Sequence, residues 1–344
     1  MNFHSLQISK IERFTPESIA VYLNIEQPLK PNFKFSAGQY ITIEHQTPTG
    51  AIRRSYSIAS TPSDKELCIG LKQVKNGVFS TFANTELKEG DRLRVSTPEG
   101  NFTYDPTAKR ILAVGAGSGI TPLLSIIKTA LFADPEVVVG LVYGNQTAST
   151  AMFIPQLEEL QQQFKDRFFW ANSYSQSREG DYFGRIEKGT LLHALKNKLS
   201  AVGPIEKAYL CGPEALIQTA QETLVDAGMS SENVLFELFV ASSEQKQIDT
   251  SGKAEVTVLL DGQTQKITVD KEEFLLDSLL EQGIDAPYSC QGGSCSSCIC
   301  KISEGTAEMA RNQVLTDREI AQGFVLSCQA KITSAHISVD FDNV

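Results

Sequence analysis

Cys290-Gln291-Gly292-Gly293-Ser294-Cys295-Ser296-Ser297-Cys298, followed at a distance by Leu326-Ser327-Cys328-Gln329, sets four of the chain's seven cysteines in the interval C-x4-C-x2-C-x29-C. That interval suits a 2Fe-2S cluster held by four thiolates. Three ligands share one loop, whose glycines let backbone N–H groups approach the sulfides, and Cys328 closes the coordination from a separate segment. Structural zinc sites group their cysteines as two short knuckles, and a disulfide framework fits a three-plus-one pattern no better. Cys300 exceeds the cluster's need and, like Cys68 in Leu67-Cys68-Ile69, is expected as a buried thiol.

The 344 residues suffice for two or three domains. Acid concentrates at the cluster end: residues 254–344 hold 14 Asp/Glu against 6 Lys/Arg, a net of −8 out of −10 for the chain. Such a surface attracts a basic partner at low ionic strength and is unsuited to nucleic acid. Met1-Asn2-Phe3-His4-Ser5-Leu6-Gln7 lacks the basic patch and apolar stretch of a secretory signal. The longest uncharged run, 111–127, approaches span length but contains Gly115, Gly117, Gly119 and Pro122. It reads as a phosphate loop, so no membrane span is expected. Thiolates needed as iron ligands argue against an oxidising compartment, which makes the cytoplasm the expected location.

Three textures follow one another. Residues 1–105 carry short strands (19–23, 40–43, 55–59, 67–71 and 92–95) broken by Gly and Pro turns, a pattern expected of an antiparallel β-barrel. Residues 106–240 alternate strands (110–114, 137–143, 207–210) with helices (122–132, 154–164), as a parallel α/β domain does. Residues 241–253 hold one large apolar residue and are expected as a linker. Residues 254–344 form the cluster domain.

Gly115-Ala116-Gly117-Ser118-Gly119-Ile120-Thr121-Pro122 follows a buried strand and opens an amphipathic helix, with Pro122 expected at its first position. Helix N-terminal N–H groups and the dipole favour a pyrophosphate there, although a glycine turn after a strand is also compatible with structure alone. Tyr209-Leu210-Cys211-Gly212-Pro213-Glu214 supplies a second strand end and turn, where open α/β sheets bind ligands.

On these motifs the chain resembles the ferredoxin-NADP reductase superfamily over residues 1–240, with a plant-type 2Fe-2S ferredoxin domain of α+β, β-grasp-like fold completing it. The resemblance implies a flavin-binding barrel, an NAD(P)-binding α/β domain, and Cys211 near the nicotinamide C4 with Thr121 at the flavin–nicotinamide contact. Arg54-Ser55-Tyr56-Ser57 is similar to the family's R-x-Y-S flavin signature. Strand alternation puts Arg54 and Tyr56 on one face, a cation for phosphate beside an aromatic surface for the ring. By the same resemblance Ser57 hydrogen-bonds the flavin at N5. Gly77-Val78-Phe79-Ser80 supplies a phosphate-holding helix start, Leu71-Lys72 the strand before it, and Glu237-Leu238-Phe239 the acidic and aromatic end of the reductase part. Arg53 is expected as a surface charge.

The domain order resembles that of single-chain oxygenase reductases, down to Gly305, Met309, Asn312 and Leu315 beyond the cluster loop. It implies electron flow from NAD(P)H through FAD, with FMN an alternative, to the 2Fe-2S cluster and on to a separate oxygenase or hydroxylase. Electron counting agrees: a hydride brings two electrons, the cluster takes one, and a flavin converts between them. A free-standing diaphorase acting on quinones and a non-catalytic redox sensor are the alternatives. Tyr143-Gly144-Asn145-Gln146-Thr147-Ala148-Ser149-Thr150 carries no carboxylate for a free ribose 2'-hydroxyl, and Ser149, Thr150 and Arg178 would accept a 2'-phosphate, so NADPH is expected over NADH. Arg178 as a solvated loop charge is the other reading.

Overall fold

Period-two alternation of apolar residues drives the first sheet. In a computed structural model that describes residues 3–48, 50–239 and 251–344, strands β1 (Phe3–Thr15), β2 (Ser18–Asn24), β3 (Tyr40–Thr47), β4 (Gly50–Ser57), β5 (Leu67–Lys72) and β6 (Arg92–Ser96) pair antiparallel in the order β4-β3-β6-β1-β2-β5. The two edges meet through an Ile58–Ile69 bridge, which closes the sheet on itself. Leu6, Ile8, Ile19, Val21, Ile41, Ile43, Ile69 and Val95 fill the interior, and helix α1 (Val78–Thr85) adds Phe79 to it. The thirteen-residue β1 escapes sequence reading because most of its residues stay outside the core, so its alternation is faint. The strand expected at 55–59 ends at Ser57 and begins at Gly50, paired to β3 through the hairpin.

Arg53 is a correction. It is buried, with side-chain exposure of 8%, and its guanidinium grips Glu44 (6% exposed) through Nη2 at 2.9 Å and Nε at 3.0 Å. The Phe3 ring lies 4.9 Å from that guanidinium, and Arg94 Nε reaches the other Glu44 oxygen at 3.3 Å. Register explains the outcome: Glu44 stands opposite Arg53, so the buried charge has its counter-charge in place.

The second sheet is parallel. Its elements are β7 (Arg110–Ala116), α2 (Ile120–Ala133), β8 (Val138–Asn145), α3 (Ile154–Gln163), β9 (Phe168–Tyr174), β10 (Tyr182–Phe183), α4 (Lys188–Lys196), β11 (Lys207–Gly212), α5 (Glu214–Asp226) and β12 (Val234–Leu238). The order β10-β9-β8-β7-β11-β12 reverses direction between β7 and β11, a topological switch point. Ile111, Leu112, Ala113 and Val114 are fully buried because helices cover both faces. Residues 111–127, the run of near-span length, are thus strand, turn and helix, and among the described residues no helix is long and apolar enough to cross a membrane. Helix α2 begins at Ile120, two residues before the expected start, so Pro122 is its third residue. Proline is tolerated there because first-turn N–H groups have no intrahelical acceptor.

The chain divides into two units, 1–239 and 240–344. The linker expected at 241–253 lies outside the described residues except at its last three positions. The second unit comprises β13 (Lys253–Leu260), β14 (Gln263–Asp270), α6 (Leu275–Glu281), β15 (Ile299–Glu304), β16 (Ala307–Met309), α7 (Asp317–Ala321), β17 (Phe324–Leu326), β18 (Ala330–Ile332) and β19 (His336–Asp340). Five strands form a mixed sheet in the order β14-β13-β19-β15-β17, with β13 and β19 parallel. Val256, Val258, Leu276, Leu279 and Val339 make its core, and Cys300 is buried within it.

Removing Arg53 leaves the buried Glu44 to the more exposed Arg94. Arg53→Met is expected to destabilise the first unit by up to about 3–5 kcal/mol, and by clearly more than Lys188→Met, which breaks an exposed ion pair with Asp226. Denaturant titration compares the two, and equal effects would contradict the account of Arg53.

Candidate functional site

The carboxyl edge of the parallel sheet is where the first unit concentrates its chemistry. Cys211 is in register with Gly115 on one side and Glu237 on the other. A β-carbon at Gly119 would lie 2.1 Å from the Cys211 carbonyl oxygen, and one at Gly115 would lie 2.6 Å from Leu123 Cδ1. Gly119 needs glycine for the loop to pack under the β11 strand end, because the atom in the way is backbone, whereas at Gly115 it is the tip of a movable leucine, with the Cys211 carbonyl oxygen next at 3.2 Å. Gly117 is different: its φ is +56° and a β-carbon there would meet open space. The glycine turn thus pins its two outer residues and leaves its crest free, with the N-terminus of α2 behind it, a cradle that fits a pyrophosphate. Gly212 and Pro213 continue the β11 edge, Pro213 capping α5.

Ser57, at the end of β4, donates its hydroxyl to Glu237 Oε2 at 2.9 Å, which ties the barrel to the last strand of the nucleotide sheet. Burial lifts the Glu237 carboxyl to about 7, with the Ser57 hydrogen bond opposing the shift. Burial, with the Glu237 charge adding to it, also holds the Cys211 thiol well above its ordinary value, so Cys211 stays protonated at neutral pH. Thr121 is buried and donates to the Ser118 carbonyl at 2.8 Å. Its hydroxyl faces Gly70, where a β-carbon would lie within 3.0 Å of Thr121 Oγ1, Met152 Cε and Phe153 Cε2. Sequence reading misses Gly70, although a lone glycine inside a strand signals close approach of another segment.

Around the barrel, Arg54 is exposed and its Nη1 donates to the Arg53 carbonyl at 2.6 Å. Tyr56 is half-buried, its ring 5.7 Å from Phe79. Gly77 caps α1 with no side-chain hydrogen bond, and Val78 is exposed. An open groove of about 420 Å³ runs past that helix start, lined by His45, Thr47, Asn76, Gly77, Val78 and Phe82. A helix N-terminus that opens on this groove with no side-chain cap fits the phosphate segment of a flavin nucleotide. Three other candidates carry no free polar side chain: Phe79 and Leu71 are core residues, and Ser80 Oγ is engaged by the Val74 N–H at 3.1 Å. Lys72, half-buried, pairs with Ser18 across the strands.

Arg178 is exposed, its guanidinium 5.0 Å from the Phe183 ring. It follows β9, three strand spacings from β11, about 14 Å. Arg178 thus follows a strand three places from the one that carries Cys211. Ser149 bonds to Thr147 at 2.9 Å within the turn between β8 and α3.

In the second unit the four cysteines converge. Cys298 Sγ and Cys328 Sγ are 3.2 Å apart, and the Cys290 thiol interacts with both Cys295 and Cys328. Hydrogen bonds among the four thiols shift them in opposite directions, Cys290 and Cys298 downward and Cys295 and Cys328 upward. Gln291 adopts φ +54° and Gly293 φ +73°, and the Gly292 N–H points at Cys290 Sγ, 3.3 Å away. Gln329 Nε2 donates to the Gln291 carbonyl at 3.0 Å and so fastens the loop to the segment that carries Cys328. Four sulfurs in a compact set with inward N–H groups fit a 2Fe-2S cluster.

Comparison with known proteins gives the same three parts. The chain matches family models for an oxidoreductase FAD-binding domain at residues 5–104, an oxidoreductase NAD-binding domain at 113–222 and a 2Fe-2S iron-sulfur cluster binding domain at 258–333. It is 35% identical to a subunit of 1,2-phenylacetyl-CoA epoxidase from Escherichia coli (strain K12), over 99% of this chain and 98% of the relative. The ferredoxin reductase component of 3-ketosteroid-9-alpha-monooxygenase from Rhodococcus rhodochrous is 31% identical, over 98% and 96%. Among solved structures, phthalate dioxygenase reductase superposes with a TM-score of 0.64 over 99% of this chain and 98% of its own, at 24% identity.

Cys328→Ser is expected to lose the cluster and Cys300→Ser to keep it, since Cys300 is enclosed in the core while Cys328 joins the converging set. Iron content and the electron paramagnetic resonance signal of the reduced protein measure this. Full occupancy in Cys328→Ser would overturn the assignment.

Proposed function

The chain belongs to the family of oxygenase-system reductases with FAD-binding, NAD-binding and 2Fe-2S domains that includes the 1,2-phenylacetyl-CoA epoxidase relative, and from that premise we propose that it delivers electrons from NADPH, one at a time, to a separate oxygenase or hydroxylase in the cytoplasm. It is an NAD(P)H-dependent flavin iron-sulfur oxidoreductase. The observation that carries the reading is the meeting of Ser57, Glu237 and Cys211 at the sheet edge in one unit, with a four-thiol set in the other. When bound, the flavin supplies a hydride acceptor that releases electrons singly, and the cluster a one-electron carrier.

The chain's own residues hold, orient and move protons. Arg54 and the N-terminus of α1 hold the flavin's phosphates, and Tyr56 offers the ring a face. Cys211, fully buried and a neutral thiol at working pH, backs the strand end over which a nicotinamide would lie, without the competing nucleophilicity of a thiolate. The Ser57 hydroxyl, hydrogen-bonded to Glu237 Oε2, would relay a proton, giving its own to the carboxylate as it takes another on its far side, so that the serine stays neutral. With its carboxyl near 7, Glu237 is poised to take and return that proton at neutral pH. NADPH is favoured because the turn after β8 lacks a carboxylate and the exposed Arg178 can meet a 2'-phosphate. Cytoplasmic location rests on thiol ligands that an oxidising compartment would consume.

Steady-state assays with NADPH and NADH test the route. The intact protein is expected to reduce ferricyanide, cytochrome c and a cognate oxygenase, with higher kcat/KM for NADPH. Cys328→Ser is expected to keep the first activity per bound flavin and lose the other two. If that variant supports the oxygenase at the intact rate, the cluster is not the exit. A protein that works with quinones and never with an oxygenase would be a diaphorase.

Glu237 ties both turnover and stability to pH. Its carboxyl rises on folding from about 4.5 to about 7. The stability this group contributes is full below about 4.5 and is lost as the pH rises through about 7. Turnover runs the other way, because acceptance of a proton needs the carboxylate. One-electron turnover is expected to fall as pH drops through about 7, and Glu237→Gln is expected to be slower with that inflection removed. An unchanged inflection in Glu237→Gln would remove Glu237 from the proton path.

A further inference from the structure

Gln329 follows the fourth cysteine and is only 2% exposed. Its Nε2 donates to the Gln291 carbonyl at 3.0 Å and to the Cys328 carbonyl at 2.8 Å, so the carboxamide bridges the chain beside two cluster ligands. Both partners are carbonyl oxygens, which only the NH2 end of an amide can serve, and that fixes its orientation. Oε1 is buried without a hydrogen-bond partner, so the polar hold on the loop runs through Nε2 alone. The Gln291 carbonyl and the Gly292 N–H belong to one planar trans peptide and point in opposite directions. Gln329 holds the oxygen end, and the hydrogen end points at Cys290 Sγ, 3.3 Å away. Gln291 itself, at φ +54°, occupies a conformation that a residue with a side chain keeps only where neighbours hold it.

We propose that Gln329 is a positioning residue for electron transfer: it latches the peptide between Gln291 and Gly292 with its N–H turned toward the Cys290 thiolate, and thereby raises the reduction potential of the cluster. The proposal rests on the reading of the four cysteines as the cluster ligands. Reduction adds negative charge to the cluster, an N–H aimed at a ligand sulfur stabilises that charge, and hydrogen bonds to sulfur are among the features that set such potentials. Donation from Gln329 polarises the same peptide and strengthens its far N–H, because hydrogen bonds in a chain reinforce one another. A peptide turned over would face the sulfur with its carbonyl oxygen and reverse the sign of the effect. The carboxamide thus acts on the sulfur through one peptide.

The test is a reductive titration of the full-length holoprotein, with the cluster followed by electron paramagnetic resonance, the flavin midpoint read in the same titration as an internal reference, and iron content measured beforehand. Gln329→Leu, of similar volume and without an N–H, is expected to keep its iron and to lower the equilibrium constant for electron uptake by the cluster about tenfold, a midpoint about 59 mV more negative for one electron, with the flavin midpoint unmoved. Gln329→Asn, one methylene too short to hold the Gln291 carbonyl, is expected to shift the cluster the same way. A cluster midpoint that is unchanged or raised in Gln329→Leu at full iron content overturns the proposal. Where Gln329→Leu sheds its iron, Gln329→Asn decides on the same criterion. Loss of iron from both variants also overturns it, because the carboxamide then retains the cluster and does not tune it. A wild-type protein that gives no reduced-cluster signal after reconstitution with iron and sulfide would overturn the reading of the four cysteines, and the proposal with it.

Discussion

The hydrogen bond from Ser57 to Glu237 spans 180 residues of sequence and joins the end of β4 to the end of β12. Its geometry depends on the barrel and the parallel sheet holding a fixed relation within the first unit, and several contacts supply it. Ser125 Oγ donates to the Ser60 carbonyl at 2.6 Å, the Asp105 N–H to Tyr209 Oη at 2.8 Å, and Lys128 reaches Asp64 at 3.3 Å. Gly70 removes the side chain that would hold Thr121, Met152 and Phe153 off β5. A carboxyl group shifted by burial is useful only if its partner stays in reach, so these packing contacts belong to the chemistry as much as Glu237 does.

The same logic runs through the cluster loop in the second unit. Gln291 sits in a left-handed conformation that a residue with a side chain rarely adopts, and Gln329 donates to the Gln291 carbonyl and to that of Cys328. The Gln313 N–H adds a bond to the Gly293 carbonyl at 3.1 Å. Local strain of this kind persists only where neighbours over-determine it. Here the neighbours of the fourth cysteine fix the loop that carries the other three.

Features that depend on spacing or strong periodicity could be read from the chain: the four-cysteine interval, the buried run of β7, the glycine turn and the Cys211-Gly212-Pro213 strand end. Features that depend on what lies opposite could not. Arg53 and Arg54 are neighbours of one chemical type, and only the pairing of β4 with β3 reveals that Glu44 draws Arg53 inward while Arg54 stays exposed. The early start of α2 was hidden because Ile120 and Thr121 carry no helix-start signal stronger than Pro122. β1 was hidden by its mostly polar exposed face.

The close approach at Gly119 has a consequence for how such a protein can change over generations. With the Cys211 carbonyl oxygen 2.1 Å from where a β-carbon would stand, the position admits no other amino acid unless two backbone segments move apart. Substitution is therefore barred at Gly119 by what crowds it, whereas at Gly117, where a β-carbon would meet nothing within 4 Å, it is resisted by the backbone angle, φ +56°. Two glycines two residues apart are thus inherited under separate constraints, one steric and imposed by a neighbouring strand, the other conformational and imposed by the turn itself.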